Sequence, residues 1–192
     1  MLWTLLMNMA IATHPLPYVE RLEIRDIASI TGVVIHCTET PDLATAREYG
    51  ELIHYQSSQT GNSGHFYIDV DGRIEQYVPL QRIAHHVSGH NRHSVGIELV
   101  NRGRYPDWLH SRSQQMTDPY PPAQMAALLA LLQQLQLQLP ALSWIAGHED
   151  LDQRLVIASD NPNVQVRRKM DPGPLFPWQQ IIQHSMLERP LP

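Results

Sequence analysis

The chain has 192 residues and a mass of 21.9 kDa, which fits one domain with or without an appendage. A chain this size buries roughly 70% of its unfolded surface, so it needs neither metal nor disulfide merely to fold. With 43% hydrophobic and 17% charged residues it is not disordered, collagenous or coiled coil, and a net charge of -5 argues against nucleic acid as a partner, which needs a basic face.

One cysteine, Cys37, can form no internal disulfide, so nothing marks an oxidising compartment. Histidine is the anomaly: eleven, against fourteen Lys plus Arg. Imidazole is the commonest metal ligand and titrates near neutrality, so this excess asks for a chemical explanation.

The first twelve residues, MLWTLLMNMAIA, are mostly apolar and carry no Lys or Arg. A secretory signal wants a basic start and a transmembrane helix about 20 apolar residues, so the expectation over 1–22 is an N-terminal arm or a remnant export segment. No transmembrane helix is expected. A catalytic domain is expected over 23–187 and a tail over 188–192.

Ile30 to Cys37 (ITGVVIHC) is β-branched and uncharged, as a buried central strand should be. Asp42 to Gln56 reads as a helix capped at Thr40 or Asp42. Residues 65–70 and 73–78 flank Asp71-Gly72, the pair that favours a two-residue type I′ hairpin. SVGIELV, 94–100, is a short strand interrupted by Glu98. Pro121-Pro122 opens the helix AQMAALLALLQQLQLQL, which ends before Pro140. Ser143 to Ala146 adds a short strand, and a last helix follows Pro177. This order predicts an α/β domain, a mixed central β-sheet flanked by helices.

Four residues conflict with their surroundings. His36 closes an apolar strand, Glu98 is the one charge in SVGIELV, His148 follows Gly147 after a short strand, and Asp171 sits in RRKMDPGP. Singly, each has a structural explanation: a hydrogen-bonded strand-end histidine, a carboxylate on the solvent face, a turn-forming aspartate. Their spacing matches no compact metal motif. Jointly, two imidazoles and a carboxylate are ligands that a catalytic zinc accepts while leaving a position for water. A hydrolase also needs a carboxylate for the water proton and a cation for the oxyanion, and Glu98 and Lys169 are available. Lys169 lies two residues before Asp171, so an extended stretch turns both to one side.

At these residues the chain resembles the zinc-dependent N-acetylmuramoyl-L-alanine amidases of the bacterial muropeptide type, whose fold is shared with peptidoglycan recognition proteins. The matching segments are VVIHCTET, SGHFYIDVDGRIEQYVP, AHHVSGHNRHSVGIELVNRG, the proline-opened helix, IAGHEDL and RRKMDPGPLFPW, in the family's order over residues 30–180. The resemblance implies one zinc held by His36, His148 and Asp171, with Glu98 as catalytic carboxylate and Lys169 assisting. Aspartate in the third ligand position is similar to the bacterial muropeptide enzymes, whereas recognition proteins and phage-type lysozymes usually carry Cys there. Two departures stand out: His85 replaces the family's frequent Trp before His86, and Gly64 matches the position where phage-type members use Tyr. The reaction implied is hydrolysis of the amide joining the lactyl group of N-acetylmuramic acid to L-alanine, in peptidoglycan or muropeptides. The alternative is a module that binds peptidoglycan without cutting it, a class in which ligands are typically replaced; here none is.

Asn101 to Pro122 is long for a connection and rich in Arg and aromatics, which suit stem-peptide carboxylates and sugar rings. Asp152 to Arg168 supplies a second candidate wall. Substrate contacts are expected at His65, His86, Trp108 and Arg167. GIELVNRG and DPGPLFPW look more like envelope-located members than cytoplasmic ones, so a cell-envelope or periplasmic location is expected, with cytoplasm as the alternative.

Overall fold

A computed structural model describes residues 10–190. In chain order the elements are β1 (Ile11–Thr13), β2 (Gly32–Cys37), α1 (Leu43–Glu51), β3 (Phe66–Ile68), β4 (Ile74–Gln76), β5 (Ser94–Leu99), α2 (Pro122–Gln138), β6 (Trp144–Gly147), α3 (His148–Leu151), β7 (Leu155–Ile157), β8 (Gln165–Arg167) and α4 (Trp178–Ser185). Six strands form one sheet in the order β1-β4-β3-β5-β2-β6, and β7 and β8 form a separate hairpin. Only β3 and β4 run antiparallel within the large sheet. The expected mixed α/β sheet is therefore the architecture found.

Alternation along β2 and β5 explains the layers. Val33 and Ile35 on β2, with Val95, Ile97 and Leu99 on β5, face the apolar side of α2, where Leu128, Leu131 and Leu132 are fully buried, and Ile181 of α4. Burial of this kind stabilises by roughly 25 cal/mol per Å² of apolar surface. Gln124, fully buried in α2, donates from Nε2 to the carbonyls of Ile68 and Val100, locking the helix onto the strand ends. The opposite face carries a second cluster, with Leu16, Tyr18, Leu43, Ala46, Tyr67 and Tyr77 beneath α1.

Two local expectations change. The α1 helix stops at Glu51 rather than Gln56, because Leu52 turns extended and His54 and Tyr55 pair with Thr60 instead. Its cap is Asp42, whose Oδ1 accepts from the Thr45 amide at 2.7 Å. The hairpin is not type I′: Gly72 donates to the Asp69 carbonyl and Asp69 to that of Arg73, leaving a three-residue loop. Gly72 alone there has positive φ (+88°), while Asp71 turns its carboxylate to the Arg73 amide.

Both ends of the described chain pack against the sheet and its helices. Much of the apolar start, residues 1–9, lies outside the described residues, but β1 pairs in parallel with β4, and Leu16, Tyr18 and Leu22 are buried. Residues 11–22 thus pack on the domain and extend its sheet by one strand. At the other end Glu188 accepts from the Ile145 amide, and Arg189 grips Asp150 and stacks 3.8 Å from the Trp178 ring. Both residues thus contact the domain. Among the described residues no helix is long and apolar enough to cross a membrane.

Candidate functional site

The site lies where the parallel strands β2, β5 and β6 end, the usual location for sites on open α/β sheets. Strand register sets its first part. His36 is the direct partner of Glu98, and Glu98 of Tyr67, so three side chains stand abreast on the face away from α2. His148 follows β6 at the start of α3. Asp171 comes from the far side of the β7–β8 hairpin, and its carbonyl accepts from the Glu149 amide at 2.9 Å.

His36 Nδ1 and His148 Nδ1 lie 2.9 and 3.1 Å from the same oxygen, Asp171 Oδ2. All three residues are buried, and their ligand atoms fall within 4.8 Å of one another. Burial lowers His36 to about 4, against the pull of the adjacent Asp171 carboxylate. For Asp171 burial pushes upward, but His148, Lys169 and the close approach of both imidazoles outweigh it and hold the carboxyl well below its usual range. Two imidazole nitrogens converging on a carboxylate form a donor set that fits a divalent metal. Asp171 Oδ1 supports that fit independently, being a buried oxygen with no hydrogen-bond partner among the described residues.

Glu98 lines a cleft of about 720 Å³ whose lining also includes His36, His148, Asp171 and Lys169. Burial, then the nearby Asp171 carboxylate, pushes Glu98 up to about 8, with Lys169 pulling the other way. A carboxyl near neutrality can both take and return a proton. A Cβ on Gly64 would sit 2.8 Å from Glu98 Cγ, so the bare backbone is what leaves room for this carboxylate.

The expected substrate contacts divide. Trp108 lines the cleft, donates from Nε1 to the Glu39 carbonyl at 3.0 Å, and meets Tyr49 and Tyr105 edge to face. His86 lines the floor, but both its ring nitrogens contact protein groups. His65 does not reach the cleft: it is fully buried, its Nδ1 accepts from the Gly96 amide at 3.0 Å, and Nε2 meets Arg25 and the Arg82 carbonyl. Arg167 turns away as well, donating to the Glu149 carbonyl at 2.7 Å, while its neighbour Arg168 lines the cleft.

Sequence reasoning missed the clasp that builds this wall. Arg104, almost wholly buried, forms a two-pronged ion pair with Glu39 at 2.7 and 2.9 Å. The same guanidinium donates to the carbonyls of Arg167 and Arg168 and to Gln114. Asp160, on the β7–β8 loop, accepts from the Ser111 amide and hydroxyl, so both long segments make one continuous wall. Tyr55 and His85, edge to face at 4.9 Å, form the opposite end of the cleft and were equally unforeseen. Arginine density in 101–122 was the only sequence signal for the clasp.

The sequence profile of the N-acetylmuramoyl-L-alanine amidase family matches residues 26–174. N-acetylmuramoyl-L-alanine amidase AmiD of Escherichia coli (strain K12) is 35% identical over 122 residues, covering 59% of this chain and 38% of its own length. The chain therefore spans well under half of that curated relative. Among solved structures, E. coli AmiD in complex with the substrate anhydro-N-acetylmuramic acid-L-Ala-D-gamma-Glu-L-Lys superposes with a TM-score of 0.63 at 29% identity, covering 83% of this chain and 59% of the other. The amidase LysC of Clostridium intestinale URNW shares the fold, with a TM-score of 0.64 at 22% identity over 93% of this chain and 99% of its own.

Proposed function

The chain belongs to the N-acetylmuramoyl-L-alanine amidase family, and on that premise we propose that it hydrolyses the amide between the lactyl group of N-acetylmuramic acid and L-alanine in peptidoglycan or its soluble fragments. The observation that carries this reading is the conjunction at one strand end of buried His36, His148 and Asp171 with Glu98, in register beside His36. A substrate of this kind is what the related AmiD holds in its solved complex.

We assign His36, His148 and Asp171 as the ligands of one zinc ion. When bound, zinc polarises a carbonyl oxygen and lowers the pKa of water from about 15.7 toward 7. Glu98 accepts the proton of the water that adds to the amide carbonyl and returns it to the leaving alanine nitrogen. Lys169, at the rim, stabilises the oxyanion that develops on the carbonyl. Trp108 offers an aromatic face to the sugar, and Arg168, in place of Arg167, offers a guanidinium to stem-peptide carboxylates.

Incubating the protein with muropeptides, with and without a chelator, and identifying products by mass spectrometry tests the proposal. The expected product pair is free muramyl sugar and intact stem peptide, lost on chelation. Intact substrate that nevertheless binds would make this a recognition module, and cleavage inside the peptide would make it a peptidase. A cell-envelope location rests on the GIELVNRG and DPGPLFPW segments, and cell fractionation checks it.

A further inference from the structure

His86 stands behind His36 in a slot made for it. A Cβ on Gly96 would come within 2.6 Å of the His86 ring, so only glycine at that point of β5 admits the imidazole. Its own backbone is fixed too: the amides of His86 and Val87 both donate to Asn91 Oδ1, at 3.0 and 2.7 Å. The ring meets His36 edge-on, at 88°.

From there a chain of contacts runs away from the metal centre. His36 Nε2 lies 3.0 Å from His86 Nδ1, His86 Nε2 lies 3.3 Å from Ser94 Oγ, and Ser94 Oγ donates to the His90 carbonyl at 2.8 Å. The last member decides the direction of every link. A carbonyl can only accept, so the single Ser94 hydroxyl proton is committed to it. Ser94 Oγ must then accept from His86 Nε2–H, which leaves His86 Nδ1 as a lone pair. That lone pair can only accept, so His36 carries its proton on Nε2 and its Nδ1 is bare.

We infer that His86 is a positioning residue for the metal centre: with Ser94 and the His90 carbonyl it holds His36 in the one tautomer whose Nδ1 can coordinate. The inference rests on the zinc assignment made above. Without a cation, a bare Nδ1 faces the carboxylate oxygen of Asp171 at 2.9 Å, an arrangement of two acceptors that a metal ion between them relieves. The relay therefore favours the loaded site over the empty one. It also removes His86 from the substrate contacts, because neither ring nitrogen is left for a ligand.

The test is zinc affinity, measured by competition with a chromogenic chelator, in wild type and in the variants His86→Phe, His86→Asn and Ser94→Ala. Phenylalanine keeps a ring in the slot and removes the acceptor; zinc affinity should fall about 10- to 100-fold. Asparagine places Oδ1 the same number of bonds from Cβ as Nδ1, so it should recover most of that loss, whereas a role in packing alone would make asparagine the worse substitute. Ser94→Ala should give a smaller loss in the same direction. Imidazole ¹⁵N spectra of the zinc-loaded wild type should report the Nε2–H tautomer for both His36 and His86. Thermal unfolding of the chelator-treated proteins checks that each variant folds. Unchanged zinc affinity in His86→Phe, equal loss in both His86 variants, or a proton on His86 Nδ1 would each overturn the inference while leaving the zinc site standing. A wild-type protein that binds no zinc would instead remove the zinc assignment, and this inference with it.

Discussion

Replacing Arg104 with alanine should be among the most damaging single changes outside the metal centre. The Arg104 and Glu39 side chains are 1% and 8% exposed, and their pairing is the only charge compensation either finds at hydrogen-bond distance among the described residues. Removing the guanidinium deletes five hydrogen bonds, two of them to the Glu39 carboxylate, and strands that carboxylate without a counter-ion. Breaking a buried pair from one side costs about 3–5 kcal/mol. For a domain of this size each kcal/mol lowers Tm by about 2–4 °C, so the expected drop is about 6–20 °C. Urea unfolding of the single variants Arg104→Ala and Glu39→Gln and of their combination measures the coupling directly. The combination should be less destabilised than the sum of the singles, since a neutral amide in place of the Glu39 carboxylate no longer needs the cation. Arg104→Lys should fall between, because an ammonium keeps the charge but loses the planar fork. Muropeptide turnover should fall with Arg104→Ala even at temperatures where it is folded, because the carbonyls it holds lead directly into Lys169. A loss below about 1 kcal/mol, or strict additivity in the cycle, would refute the clasp.

Glu98→Gln should remove about 10²- to 10⁴-fold of amidase turnover while zinc stays bound, measured by product release and metal content. The same carboxyl shifts from 4.5 to about 8 on burial, so in chelator-treated protein its protonated form contributes stability that is complete below pH 4.5 and is lost as pH rises toward 8. Urea midpoints across that range should decline more steeply in wild type than in Glu98→Gln; parallel curves would count against the buried-carboxyl reading. Trp108→Ala should raise KM for muropeptides about 2- to 12-fold with little change in kcat, the range of an aromatic face contact, and an unchanged KM would retire that contact.

How much of this was legible in the sequence follows the range of the forces involved. His36 and Glu98 could be picked out because each breaks an apolar alternation, and a strand turns such a break into a statement about which face the residue occupies. His148 and Asp171 are marked by the glycine and proline beside them. The clasp was not readable: Glu39 and Arg104 are 65 residues apart, and nothing local distinguishes either from a surface charge. Hairpin β7–β8 was missed for a related reason, since Leu155 and Ile157 stay exposed and print no buried pattern. The early end of α1 is a tertiary decision, made by the pairing of Tyr55 with Thr60 against a sequence that favours continuing the helix. His65 and Arg167 went to the wrong surroundings because composition says that a residue is polar but not which carbonyl it will meet.

The pairing of His36 with Glu98 across β2 and β5 has a consequence for how this protein tolerates changes in chain length. Inserting or deleting one residue within either strand would carry one of the two to the opposite face of the sheet, among the leucines of α2, and separate the proposed ligand from the proposed proton acceptor at a stroke. Length changes in 102–119 or 158–164 would shift only the walls, since neither stretch contains a strand of the main sheet. Loop grafting is therefore the route by which substrate preference could be redrawn with the reaction left intact, whereas the two strands admit exchange of residues but not of spacing.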